Sequence, residues 1–141
     1  MRFWDASALV PTFIEESSTT DVQSWQAADP GITIWMMTRV EVISAIARKK
    51  REQPDLVALW NRAVRDVNEM ALRWVEIWDA AATRIHAERI VMDYPLRAAD
   101  ALQLGAALIA ADGDPQSIEL VTLDRRLADA ARREGFPVLG A

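Results

Sequence analysis

Apolar positions along this chain fall into two alternating kinds of segment: short unbroken runs, and longer stretches with helical spacing. "MRFW" is a candidate first strand, "ITIW" at Ile32–Trp35 a second and "WVEI" at Trp74–Ile77 a third. "IELVT" and, after Gly135, "FPVL" supply two more. Between them the spacing predicts helices over about Ser7 to Glu15, Thr20 to Ala28, Thr38 to Glu52 and Asp55 to Leu72. Three more follow: one capped by Asp79 and running to about Met92, one from Ala98 to Ala111, and one from Arg125 to Glu134. "ADPG", Pro54, "DYP" and "GDPQ" punctuate the pattern as turns or breaks. Such alternation implies right-handed βαβ crossovers, hence an α/β fold whose mostly parallel sheet carries helices on both faces. No linker-like tract or internal repeat divides the sequence, so one domain over residues 1–141 is expected.

Composition narrows the classes. A chain of 141 residues that is 51% hydrophobic can bury roughly two-thirds of its unfolded surface and needs no covalent staples. With no cysteine, disulfides and thiolate metal sites are impossible, and a reducing compartment is the natural setting. A net charge of -5 argues against an open nucleic-acid platform, but not against an enzyme that meets phosphate through metal ions. Asp5 interrupts the apolar start, and no small-residue cleavage site follows it, so a signal peptide is not expected. The Ala98–Ala111 helix is too short to cross a bilayer, and the expected location is cytoplasmic, without membrane contact.

That same helix poses the main chemical question. Within "LRAADALQLGAALIAADG", between Arg97 and Asp112, Asp100 is the only charge and Gln103 the only other polar side chain. A carboxylate buried there without partners costs several kcal/mol. Three further acids stand in telling places. Asp5 ends the first strand, Asp124 follows the strand "IELVT", and Glu41 lies among Val40, Val42 and Ile43 in "TRVEVISA". Each has a purely structural explanation. Asp5 and Asp124 suit helix N-caps, although Ser7 could also cap. Asp100 could answer the positive end of its own helix, a gain of only about 0.3–1 kcal/mol. Glu41 could face solvent.

Taken together the four are less easily explained, because ligands in open α/β sheets bind beyond the carboxyl ends of the strands. Clustered carboxylates repel by about 4 kcal/mol per close pair at an effective dielectric near 20. A divalent cation removes that penalty, and oxygen-only ligands suit Mg²⁺ or Mn²⁺.

"FWDASALV", "TRVEVISA", "LRAADALQLGAAL" and "LVTLDRRLADAARREGFPVLG" resemble the four signature segments of the PIN-domain ribonucleases, most closely those of VapC-type toxins of bacterial toxin–antitoxin pairs. The resemblance spans essentially the whole chain in order, and its third and fourth segments are the most specific. It places the family's acidic quartet, catalytic and metal-binding, on Asp5, Glu41, Asp100 and Asp124. Ser7 matches the small hydroxyl residue after the first Asp, a candidate substrate contact. The resemblance further implies a PIN-like three-layer α/β/α fold with a five-stranded parallel sheet, a homodimer, an RNA substrate, and a cognate antitoxin that blocks the acidic site. Gln103 departs from the pattern, standing where many relatives have His.

Other candidates are weaker. His86, the only histidine, reads as a packing or surface residue. "RKKR" at Arg48–Arg51 reads chiefly as a solvated helix end, with RNA contact second. Trp4, Trp35, Trp60, Trp74 and Trp78 read as core or interface, and "DGD" at Asp112–Asp114 as a turn lacking the rest of a calcium loop. Pro11 falls early in the first helix, where a missing N–H matters least. Trp60, Met70 and Leu72 suggest an apolar dimer surface on the helices between about Pro54 and Met92.

The expected activity is metal-dependent endoribonuclease action as the toxin of a toxin–antitoxin pair. The alternative is a catalytically impaired PIN-fold module that binds RNA or protein. An aspartyl-phosphate mechanism through Asp5 is disfavoured, because Ser7 replaces the expected second Asp and no lysine follows Lys50. The five glycines form neither a P-loop nor a Rossmann motif.

Overall fold

The computed structural model describes residues 1–141. Its order is β1 (Arg2–Trp4), α1 (Ala6–Phe13), α2 (Thr19–Ala28), β2 (Ile32–Trp35), α3 (Thr38–Glu52), a 3₁₀ turn at Pro54–Leu56, and α4 (Val57–Ala71). Then come β3 (Val75–Ile77), α5 (Ala80–Asp93), α6 (Ala98–Ala110), a 3₁₀ turn at Pro115–Ser117, β4 (Glu119–Thr122), α7 (Arg125–Arg133) and β5 (Val138–Gly140). All seven expected helices and five expected strands are present, with ends moved by a residue or two. The last strand starts two residues late, at Val138, because Pro137 lacks the N–H a ladder needs.

The five strands form one all-parallel sheet in the order β3-β2-β1-β4-β5. From β1 the chain winds outward through β2 and β3, then returns to β1's other side for β4 and β5. The order therefore reverses between β1 and β4, and crevices in doubly wound sheets open at such a reversal.

Strand side chains alternate between two cores, as a sheet covered on both faces requires. Trp4, Ile34 and Val121 join Leu9, Val42, Ile46 and Trp60 on the face covered by α1 to α4. Phe3, Trp35 and Leu120 join Ile90, Leu104, Leu127 and Phe136 on the face of α5 to α7. The fold is thus a three-layer α/β/α arrangement. Gly105 lets α5 and α6 touch, since a Cβ there would lie 2.8 Å from the Thr83 carbonyl oxygen.

Two expectations need correction. Pro11 sits in the second turn of α1, not the first, so the Ser7 carbonyl loses its usual helical donor. The three large residues expected on an apolar surface do not share one. Trp60 is buried in the core and Met70 packs partly against it, leaving only Leu72 open to solvent. Of the other tryptophans expected in core or interface, Trp4, Trp35 and Trp74 are buried, and Trp78, 68% exposed, lies outside the core. No helix is long and apolar enough to cross a membrane.

Candidate functional site

The reversal of strand order brings "FWDASALV" and "LVTLDRRLADAARREGFPVLG" together. Trp4 pairs with Val121, and Asp5 N–H donates to the Val121 carbonyl at 3.0 Å, so both chains leave the sheet side by side. One Asp5 oxygen, Oδ2, accepts from Ser7 N–H at 3.2 Å, Ser7 Oγ at 2.5 Å and Thr122 Oγ1 at 2.9 Å. Ser7 Oγ accepts from Leu123 N–H at 2.9 Å, and Thr122 Oγ1 from Asp124 N–H at 3.1 Å. This network fixes Asp5 while leaving its Oδ1 without a partner in the chain.

Capping and clustering coexist. Asp5 does cap α1 through Ser7 N–H, and Asp124 caps α7 through Leu127 N–H at 2.8 Å. Each cap occupies one carboxylate oxygen. Asp79 caps α5 as expected.

The other two acids come from helix starts. Glu41 lies in the first turn of α3, and its Oε1 accepts from Gln103 Nε2 at 3.0 Å. Gln103 is fully buried, and its amide also exchanges hydrogen bonds with Thr38 Oγ1 at 3.0 and 3.2 Å. Asp100 lies in the first turn of α6, half-buried and without any hydrogen bond; it caps nothing.

These placements put each of the four carboxylates within electrostatic reach of at least two others. None of them forms a salt bridge. Burial, followed by the Asp5 charge, pushes Glu41 up to about 7, against the pull of the Gln103 hydrogen bond. Burial likewise raises Asp5, opposed by its Ser7 and Thr122 bonds. Asp100 is raised by burial and then by Asp5 and Asp124, with Arg97 and Arg126 pulling the other way.

The donor set fits Mg²⁺ or Mn²⁺ in kind, being oxygen only with several oxygens unpartnered. The spacing is looser than a closed cage: no three Asp, Glu or His side chains are arranged to hold one ion directly. Mg²⁺ commonly keeps several waters, which suits a site with few direct ligands.

A polar cleft of about 280 Å³ opens beside two of the four acids, lined by Asp100 and Asp124 with Arg97, Arg125 and Arg126; Asp5 and Glu41 do not line it. The largest cleft, about 660 Å³, lies between α1, α2, α3 and α4 and contains none of the four acids. His86 packs beside Gly105 on α5. Arg48–Arg51 occupies the far end of α3, roughly 10–15 Å of helix beyond Glu41 at 1.5 Å per residue. Thr38 and Thr122 are supporting residues that the sequence reading missed. A Thr two positions before a cluster Asp, as in "TLD", was the available signal for Thr122.

Several solved structures share this fold. A toxin–antitoxin complex from Klebsiella pneumoniae matches with a TM-score of 0.64 at 19% identity, over 99% of this chain and 96% of that one. PAE2754 from Pyrobaculum aerophilum matches at 0.66 and 20%, over 97% and 87% of the two chains. FitAcB from Neisseria gonorrhoeae matches at 0.60 and 14%, over 99% and 97%. No protein-family description matches the sequence, and no curated protein does.

Proposed function

We propose that this protein is a metal-dependent endoribonuclease of the VapC type, acting as the toxin of a toxin–antitoxin pair. The observation that carries this reading is the group of four carboxylates without salt bridges at the β1–β4 reversal. The shared fold supports it, because two of the similar structures are a toxin–antitoxin complex and FitAcB.

Asp5, Asp100 and Asp124, with Glu41 directly or through water, would hold Mg²⁺ or Mn²⁺. Such an ion, when bound, lowers the pKa of water for attack at phosphorus and stabilises charge on the leaving oxygen. The chain's own work is positioning. Ser7 and Thr122 hold Asp5 by one oxygen and leave the other without a partner in the chain. Gln103 does the same for Glu41. Once ionised, Glu41 can accept a proton at Oε2. The Ser7 hydroxyl is already engaged by Asp5 and Leu123, so it orients Asp5 in preference to touching substrate.

The test is cleavage of labelled RNA with and without metal. Cutting in Mg²⁺ that stops in EDTA, and that stops in Asp5→Asn, is expected. Equal cutting in EDTA overturns the reading. A cognate antitoxin that covers the acids should inhibit the same reaction.

A second reading is a catalytically impaired module that keeps the fold and binds RNA or protein. Gln103, standing where many members of the resembled family have His, favours it. Saturable Mg²⁺ binding with no cleavage across a broad RNA panel would establish it.

The protein should also form a homodimer. Leu72, Ile85 and Met92, exposed by 86%, 66% and 85%, leave apolar surface on or beside α4 and α5. Sedimentation at tens of micromolar should show the dimer, and monomer alone would remove this claim.

A further inference from the structure

Asp100 and Asp124 account for only part of the polar cleft that they line. Arg97, Arg125 and Arg126 form the rest of its wall, and all three are exposed. None forms an ion pair, even though Arg97 and Arg126 lie near enough to Asp100 to favour its charged form. The cleft also faces the starts of α6 and α7, since Arg97 is the N-cap of one and Arg125 the first residue of the other. Helix starts and free guanidinium groups both attract anions.

A second cleft of about 150 Å³ adjoins the first and shares Arg126 with it. Its walls are Tyr94, Pro95, Asp129, Ala130 and Arg133. Arg126, Ala130 and Arg133 are spaced i, i+4 and i+7, which places them along one face of α7. Arg133 forms no ion pair, whereas Asp129 is paired with Arg132 at 3.4 Å. Tyr94 is pinned, because its hydroxyl donates to Glu134 Oε1 at 2.7 Å and Arg89 grips both Glu134 oxygens at 2.8 Å. The two clefts therefore make a short track running from the acids along α7, with cations along it and a fixed aromatic ring at its far end. On a chain of net charge -5, such a track is a local exception.

We propose that a single-stranded polynucleotide leaves the acidic site over Arg126 and follows α7. Its backbone phosphates lie against Arg97, Arg125, Arg126 and Arg133, and a base rests on Tyr94 and Pro95. The inference rests on the nuclease reading for what happens at the acids, but not for the track itself. Cations along a groove with an aromatic platform are the means by which proteins hold single strands without reading sequence. If the arginines only balanced the carboxylates, Arg133, which lines the second cleft and not the acidic one, would be irrelevant to binding.

The experiment measures binding of a fluorescein-labelled, random-sequence 20-nucleotide RNA. It uses Asp5→Asn protein in Mg²⁺ at several salt concentrations, alongside steady-state kinetics on the Asp5 protein. Arg126→Gln and Arg133→Gln should each weaken binding by about five- to twentyfold. Each should also lower the salt slope by about 0.7 per lost contact. In the kinetics, Arg133→Gln should raise KM and leave kcat within twofold. Tyr94→Leu should weaken binding, and Tyr94→Phe, which keeps the ring, should not. Arg62→Gln, exposed on α4 across the sheet, should bind like its parent.

Unchanged affinity in both α7 variants overturns the track, as does an equal loss in Arg62→Gln. Displacement of the RNA by polyglutamate at matched charge would mark a surface for acidic protein and also overturn it. Cleavage with unchanged KM in the variants removes the track alone. Arginine-dependent RNA binding without cleavage by the Asp5 protein keeps the track and removes the nuclease reading.

Discussion

Gln103 donates from Nε2 to Glu41 Oε1 at 3.0 Å, reaching from buried α6 to the start of α3. This is the one hydrogen bond Glu41 receives, and it favours the charged carboxylate. Gln103→Leu removes it and strands the Thr38 hydroxyl, which is also buried. Hydrogen bonds to charged groups contribute about 1.5–3 kcal/mol, so about a tenfold loss of Mg²⁺ affinity at pH 7 is expected. Glu41 should also titrate higher than about 7 in that variant. Calorimetry and carbon-detected NMR titration of Glu41 check the two effects. An unmoved Glu41 titration would mean that the bond does not act in solution.

The raised carboxylates give the metal-free protein a definite pH dependence. Glu41 has an ordinary value of 4.5 and a folded value of about 7. Between those values the unfolded chain has released its proton and the folded chain keeps it. The folded state thus binds more protons, and stability falls as pH rises through that window. Asp5 and Asp100 are raised as well and act with the same sign. In EDTA the melting temperature should therefore be higher near pH 5 than near pH 7.5, and Glu41→Gln should flatten the difference. Added Mg²⁺ should reverse the trend, because binding then requires the ionised acids. Melts in EDTA that are flat from pH 5 to pH 8 would contradict the crowding of these groups.

Much of this architecture was legible in the sequence, for physical reasons. Short apolar runs between turn residues fixed the five strands, and helical spacing fixed the seven helices, because both periods follow from backbone geometry. The resemblance located the four acids, and strand ends explained two of them. Side-chain direction within helices was less accessible. Glu41 sits among apolar residues spread around its helix, so only the fold shows it turned toward Gln103. Trp60, read as core or interface and also counted toward an apolar dimer surface, is core, because α4's buried face could not be told from its open one by counting apolar groups. The track along α7 was invisible for a different reason: Tyr94 and Arg133 are 39 positions apart.

Gly105 offers a test of the fold that is independent of any chemistry. A methyl group at this position would lie 2.8 Å from the Thr83 carbonyl oxygen and 3.3 Å from the Ala87 nitrogen, both of them backbone. Helix propensity alone would make Gly105→Ala stabilising by about 1 kcal/mol. Overpacking in a rigid contact costs about 1–3 kcal/mol and should win here, since backbone cannot rotate away. Denaturant unfolding should show net destabilisation. A more stable variant would mean that α5 and α6 pack less closely than described.

Asp100 brings the remaining question to a measurement. It is half-buried, caps nothing, receives no hydrogen bond and feels both Asp5 and Asp124. If it belongs to a repelling set, Asp100→Asn should remove one charge, keep the side-chain shape and stabilise the metal-free protein. After allowance for solvent screening the gain is about 0.5–1 kcal/mol, or about 2–5 °C in melting temperature. The same substitution should abolish cleavage, which separates it from an ordinary stabilising change. Wild-type protein should gain stability from Mg²⁺, about 2.7 kcal/mol at a hundred times Kd, and the variant much less. A residue serving only the dipole of α6 behaves in the opposite way. Its replacement by Asn would be neutral or slightly destabilising, because the favourable charge at the helix start is lost. Paired melts of the two proteins in EDTA and in Mg²⁺ decide the matter. An identical metal shift in both would remove Asp100 from the site.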